Sequence, residues 1–226
     1  MLTKSTFPFE AVLWDMDGTL IDSEPIWIEE EFRLMRSLGV DWNEDDAKHC
    51  LGGPVERVDN YMRSRAGNSH KPFELSSILI ERMIHRLSQG VEFTTGAKHL
   101  LVSMHAQGLP LALVSASTRP IMDAALKSIG EHFFAFTCSA DDVNMTKPHP
   151  EGYLKAAETL GVSIERTLII EDSITGMRAA IDSGGYVLGL PHLTPLPEGD
   201  KVVHRSDLDS LNLESLAALF LEKFES

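Results

Sequence analysis

The sequence predicts an α/β fold: a doubly wound, Rossmann-like parallel-sheet core with an inserted all-helical cap domain. Three observations predict it. Short apolar runs alternate with stretches of helical periodicity. Acids, hydroxyls and a lysine follow the ends of those runs, where such sheets place their ligands. One long segment, from about Ser23 to Gly90, breaks the alternation and shows helical periodicity alone.

The apolar runs are Ala11–Trp14, Leu109–Ser115, Phe134–Thr137, Thr167–Ile170 and Tyr186–Leu190. Continuous apolar runs of this length suit strands buried on both faces. Each of the last four follows a helical stretch. These are Ala97–Gln107, with Leu100, Leu101 and Met104 on one face, then Pro120–Ile129, Glu151–Leu160 and Thr175–Ser183. Such alternation builds βαβ units and a parallel sheet covered on both sides. Within Ser23–Gly90 the apolar residues recur at helical spacing. They run Ile26, Trp27, Phe32, Met35 and Leu38, then Val55, Val58, Tyr61 and Met62, then Ile78, Ile80, Met83, Ile84 and Leu87. Gly39, Gly52-Gly53 and Gly67-Asn68 supply the breaks. The links Thr19–Ser23 and Gly90–Gly96 read as the hinges of a mobile lid. The expected division is a core domain of 1–20 and 92–226 and a cap domain of 21–91. Pro191–Lys201 reads as a Pro-rich surface loop and Leu211–Phe224 as a terminal helix.

Composition narrows the function. The 226 residues are 43% hydrophobic and 24% charged, which excludes disorder, collagen and coiled coil as the main architecture. Twenty basic against 34 acidic residues give a net charge of −14. Phosphate backbones and anionic lipids repel such a chain, so neither nucleic acid nor membrane is expected as a partner. A small anionic substrate remains compatible, because a bound metal supplies a local positive centre. Cys50 and Cys138 lie far apart without metal-type spacing and read as reduced thiols. The N-terminal stretch has one early lysine and no long apolar run, and nothing approaches the ~18 consecutive apolar residues of a membrane helix. The expectation is a cytoplasmic protein, a monomer or weak homodimer.

Four features carry the chemistry. Asp15-Met16-Asp17-Gly18-Thr19-Leu20 directly follows the first strand. Adjacent carboxylates there repel each other and lose hydration, and a divalent cation would remove both costs; a solvated loop with incidental acids is the alternative. Glu171-Asp172-Ser173 follows Thr167–Ile170. Carboxylates converging from two strand ends suit a hard cation such as Mg²⁺, and an N-cap for the next helix is the alternative. Ser115-Ala116-Ser117-Thr118 could cradle phosphate at a helix N-terminus or simply cap it. Lys147, between Thr146 and Pro148, could neutralise a phosphate or an aspartate, or merely be a surface residue.

Together the four features resemble the haloacid dehalogenase superfamily of phosphohydrolases. The motifs are DMDGTL at Asp15–Leu20, LVSAS at Leu113–Ser117, Lys147-Pro148 and IIEDS at Ile169–Ser173. IDSEPIW at Ile21–Trp27 looks like the sugar-phosphate phosphatase and β-phosphoglucomutase branch. The resemblance implies two-step phosphoryl transfer. Asp15 would be the nucleophile and Asp17 the general acid and base. Mg²⁺ would be held by Asp15, the Asp17 backbone carbonyl and Asp172, with Glu171 a ligand or a partner behind the ligands. Ser115 and the Ala116 N–H would bind phosphoryl oxygens, and Lys147 would offset charge between phosphate and Asp15. The substrate would be a small phosphorylated metabolite, a sugar or polyol phosphate. The alternatives are a β-phosphoglucomutase-like phosphomutase or a non-catalytic phosphometabolite-binding module. Dehalogenation is disfavoured by Asp17, which carbon–halogen cleavage does not need. Trp27 stands where the mutase branch commonly has histidine, which disfavours the mutase. It is the expected apolar contact for the leaving group, or else part of the lid's own core. Arg57, in the turn Leu51–Arg57, is the weaker candidate for a polar contact. The usual Pro-Gly before the core helix reads Thr95-Gly96.

Overall fold

The computed structural model describes residues 7–50, 55–191 and 195–224. The first strand, β1 (Ala11–Trp14), is followed by four helices: α1 (Glu24–Ser37), α2 (Glu44–Cys50), α3 (Val55–Arg65) and α4 (Glu74–Gln89). The alternation then runs α5 (Ala97–Ala106), β2 (Leu111–Val114), α6 (Arg119–Ile129), β3 (Phe136–Cys138), α7 (Glu151–Leu160), β4 (Thr167–Glu171), α8 (Ile174–Ser183) and β5 (Tyr186–Gly189). A short strand β6 (Val202–His204) and the helix α9 (Leu213–Phe224) follow.

Among the described residues six strands form one parallel sheet, in the order β3-β2-β1-β4-β5-β6. The order reverses direction between β1 and β4, and an open α/β sheet binds its ligand at the carboxyl ends of the strands flanking that point. Register brings those ends level. Trp14 lies opposite Leu113 on β2 and Ile170 on β4, so the chain leaves β1, β2 and β4 at nearly the same height. Every residue of β1, β2, β4 and β5 is buried, as strands covered on both faces require.

The chain forms two compact units. One comprises the chain up to Asp22, Glu92–Met122 and everything from Gly130 onward; the other comprises Ser23–Val91 and Asp123–Ile129. The α/β unit is built on Leu13, Val114, Tyr153, Ile169, Met177 and Val187. The helical unit has its own core of Leu34, Met35, Trp42, Cys50, Met62, Leu75 and Leu79.

The architecture agrees with the expected fold class, with local differences. The strand expected at Leu109–Ser115 shortens to Leu111–Val114, and that expected at Phe134–Thr137 moves to Phe136–Cys138. The strand expected at Thr167–Ile170 runs one residue further, to Glu171, which places that carboxylate inside the sheet rather than after it. Strand β6 was not expected. It is three residues long and emerges from the segment read as Pro-rich loop, so it offered no apolar run to detect. Helix α2, EDDAKHC, is equally unannounced, because seven mostly polar residues carry too little periodicity. Leu38 and Val55, counted on apolar faces, are exposed. The break at Gly52-Gly53, with Leu51 and Pro54, lies outside the described residues. Among the described residues no helix is long and apolar enough to cross a membrane.

Candidate active site

The loop after β1 is tied on both sides. The Asp15 N–H donates to the Ile170 carbonyl of β4 at 3.0 Å, and the Leu20 and Ile21 N–H groups donate back to the Met16 carbonyl. Gly18 is in the left-handed region (φ +84°), and a Cβ there would sit 2.3 Å from Asp172 Oδ2. Only glycine permits both the turn and so close an approach of backbone to carboxylate. Two aspartates from separate strands are thereby drawn to one place.

Asp15 is buried. Burial, and then the charge of Glu171, push its carboxyl well above the usual carboxylate range; Lys147 pulls it back down and Asp172 adds to the rise. Lys147, expected to neutralise phosphate or aspartate, comes in under the sheet ends. Its Nζ lies 2.5 Å from Asp15 Oδ1, 2.7 Å from Glu171 Oε1 and 2.9 Å from the Val114 carbonyl. Its side chain is almost wholly buried. Burial alone would make the lysine less basic, but the charges of Asp15 and Glu171 outweigh it and hold the ammonium protonated.

Asp17 faces a different set of groups. Its Oδ2 accepts from Ser117 Oγ at 2.8 Å and Ser115 Oγ at 3.3 Å, and the Ser117 N–H donates to Ser115 Oγ at 2.9 Å. The second strand end therefore holds the expected acid–base residue. Ser117 belongs to the LVSAS motif, but sequence reasoning assigned its phosphate roles to Ser115 and Ala116 instead. Ala116 is exposed in the loop that leads into α6.

Asp172 accepts from Thr19 Oγ1 at 2.8 Å, and the Thr19 carbonyl in turn accepts from Thr94 Oγ1 at 2.5 Å. The capping alternative for this segment holds for Ser173, whose Oγ accepts from the Gly176 N–H at 3.0 Å and starts α8. Capping by the serine leaves the Asp172 carboxylate to other partners.

One oxygen from each of Asp15, Glu171 and Asp172 lies within 4.8 Å of the other two. Three carboxylates face one ammonium there, and an all-oxygen anionic donor set fits a hard divalent cation. The residues present therefore fit Mg²⁺. Glu171 is the least available of the three, because its oxygens already take Lys147, the Tyr153 hydroxyl, two backbone N–H groups and Ser173 Oγ. Of the two roles left open for it, support behind the ligands agrees with this geometry.

In the helical unit, Trp27 is partly buried and packs against that unit's own core. Arg57 is exposed in the first turn of α3. The rest of its turn, Leu51–Pro54, lies outside the described residues.

Similarity to known proteins shows the family. The family model of haloacid dehalogenase-like hydrolases matches residues 12–189. Hexitol phosphatase B of Escherichia coli (strain K12) is 32% identical over 173 residues, covering 75% of this chain and 78% of the relative. Validoxylamine A 7'-phosphate phosphatase of Streptomyces hygroscopicus subsp. limoneus is 30% identical, covering 80% of this chain and 85% of the relative. The structure of CbbY from Rhodobacter sphaeroides in complex with xylulose-(1,5)bisphosphate superposes with a TM-score of 0.73 at 24% identity, covering 90% of this chain and 96% of CbbY, and shows the shared fold. The chain belongs to the haloacid dehalogenase-like hydrolases, on the phosphatase side of that family.

Proposed function

We propose that the protein is a Mg²⁺-dependent phosphatase that hydrolyses a small sugar or polyol phosphate through an aspartyl-phosphate on Asp15. One observation carries the reading. A buried aspartate, gripped by a buried lysine, stands at the reversal point of the sheet with a second aspartate two residues on. The names of the relatives, a hexitol phosphatase and a phosphatase of a phosphorylated validoxylamine, support the substrate class.

Each residue then has a task. An Asp15 oxygen attacks phosphorus as the bond to the leaving alcohol oxygen breaks, and Asp17 gives that oxygen a proton. Asp17 next takes a proton from water. The water oxygen attacks phosphorus, the bond to Asp15 breaks, and inorganic phosphate leaves. The Ser115 and Ser117 hydroxyls hold Asp17 in place for both transfers, and Lys147 offsets the negative charge shared by the phosphoryl group and Asp15. The Asp15 and Asp172 carboxylates and the Asp17 carbonyl would hold Mg²⁺. When bound, the ion supplies the positive charge that lets an anionic nucleophile meet an anionic substrate.

A phosphate-release assay on sugar, polyol and nucleotide phosphates and a simple aryl phosphate, with Mg²⁺ or with chelator, tests the reading. Mg²⁺-dependent release, fastest on sugar or polyol phosphates, is expected. No release from any substrate would favour a binding module, and phosphate migration on a hexose 1-phosphate without release would favour a mutase.

A further inference from the structure

Tyr153, on α7, has no task in the reaction above, yet its ring and hydroxyl reach two charged residues of the centre. It is 1% exposed, and its ring lies under the lysine, 5.0 Å from Nζ to the ring centroid. Its hydroxyl donates to Glu171 Oε1 at 2.6 Å. The same oxygen takes a Lys147 proton at 2.7 Å. The other Glu171 oxygen accepts from the Asp172 N–H at 3.1 Å, the Ser173 N–H at 3.3 Å and Ser173 Oγ at 3.2 Å. Helix α8 closes the remaining side, since a Cβ on Gly176 would lie 1.8 Å from Glu171 Oε1. Glu171, fully buried, is thus clamped from every direction.

We propose that Tyr153 is a positioning residue: its phenol proton occupies Glu171 Oε1 and so keeps the Lys147 ammonium shared with Asp15 instead of drawn onto Glu171.

An ammonium has three protons, and here it meets three acceptors: Asp15, Glu171 and the Val114 carbonyl. The two carboxylates compete for one cation in a water-poor site, where small changes in charge density are felt strongly. A phenol hydrogen bond drains charge from Glu171 Oε1. Without it, that oxygen has only the ammonium for a partner and pulls it closer, at the expense of Asp15. The ring meanwhile supports the cation from below. Sequence reasoning missed this role because Tyr153 reads as one more apolar position of an amphipathic helix; the signal is its hydroxyl at a position buried deep enough to demand a partner.

The proposal rests on Asp15 acting as the nucleophile, and its test separates the two claims. Tyr153→Phe removes one oxygen and leaves the ring. In the wild-type background kcat on an aryl phosphate should fall about tenfold, with KM within about twofold, in the range found when partners behind catalytic ligands are removed. In a Glu171→Gln background the same substitution should cost less than about twofold, because residues acting through one another are not additive. Crystal structures of both proteins give a readout independent of activity, and in Tyr153→Phe the Lys147 Nζ should move away from Asp15 toward Glu171. Unchanged kcat, an equal loss in both backgrounds, or an unmoved lysine would overturn the proposal and leave the proposed function standing. A wild-type chain that releases no phosphate would overturn the function instead, and with it the kinetic role given to Tyr153.

Discussion

Glu171 of the α/β unit and Glu31 of the helical unit are both buried, and the two are treated in opposite ways. Glu171, at the end of β4, meets a lysine, a tyrosine, a serine and two backbone N–H groups. Glu31, on α1 of the helical unit, is 5% exposed, and its Oε2 has no hydrogen-bond partner among the described residues. Burial with no compensation pushes Glu31 up from the ordinary 4.5 to about 8. Its neighbour Glu30 shows that the helical unit can satisfy an acid, since Arg33 and Arg86 reach it at 2.9 and 3.1 Å. Burial alone therefore does not make a centre for chemistry. At Glu171 burial is matched by donors, which fixes a cation in one position; at Glu31 it is unmatched and costs stability.

Four substitutions test that contrast. Asp15→Asn should lower kcat by about 10³-fold or more, because an amide is a poor nucleophile. Measured without Mg²⁺ at neutral pH, its melting temperature should be no lower than wild type, since the excess of carboxylates over cations is relieved. Phosphate release and thermal melts check both.

Lys147→Ala should lower kcat about 10²-fold through loss of charge stabilisation at phosphorus. It should also cost about 3–5 kcal/mol of stability, the usual result of removing one partner from buried ion pairs. Denaturant unfolding measures the second quantity, and a change under about 1 kcal/mol would show that the centre is far wetter than its geometry implies.

Trp27→Ala tests the helical unit. The partly buried side chain packs against the cluster that contains Leu34 and Met35, so the loss should be about 2–3 kcal/mol, less than for a fully buried tryptophan. All substrates should slow by the same factor. A changed ranking of substrates would instead support the expected contact with the leaving group.

Glu31→Gln should have the smallest effect on activity, and the size of its effect on stability depends on pH. The folded state holds the proton up to about pH 8, whereas an unfolded glutamate releases it near 4.5. Between those values the folded state binds more protons, so stability falls as pH rises, with the loss complete above about pH 8. The glutamine variant should flatten that decline and melt higher than wild type at pH 8, with little difference near pH 5. Parallel curves over the whole range would mean that Glu31 has found a partner.

What the sequence made legible was local. Asp15, Asp17 and Asp172 were found because they follow apolar runs directly, and the sheet order then carries them to one end. The strand-to-strand contacts were not legible. Ser117 reaches Asp17 across a hundred residues of chain, and Thr19 reaches Asp172 across more. No periodicity encodes such pairs, because they depend on parallel register and on Gly18 allowing close approach. Glu171 stayed ambiguous for the same reason, since its role follows from Tyr153 and Lys147, which helix α7 and the loop before it bring together. Strand β6 and helix α2 were hidden by shortness rather than by long-range packing.

The most direct test of the account is to catch the intermediate. The protein is mixed with Mg²⁺ and an aryl phosphate, quenched in acid during turnover, digested, and its peptides weighed. One added phosphoryl group is expected on the peptide containing Asp15, labile to hydroxylamine and missing from Asp15→Asn. A phosphoryl group on another residue, or turnover that survives in Asp15→Asn with no trapped adduct, would contradict it.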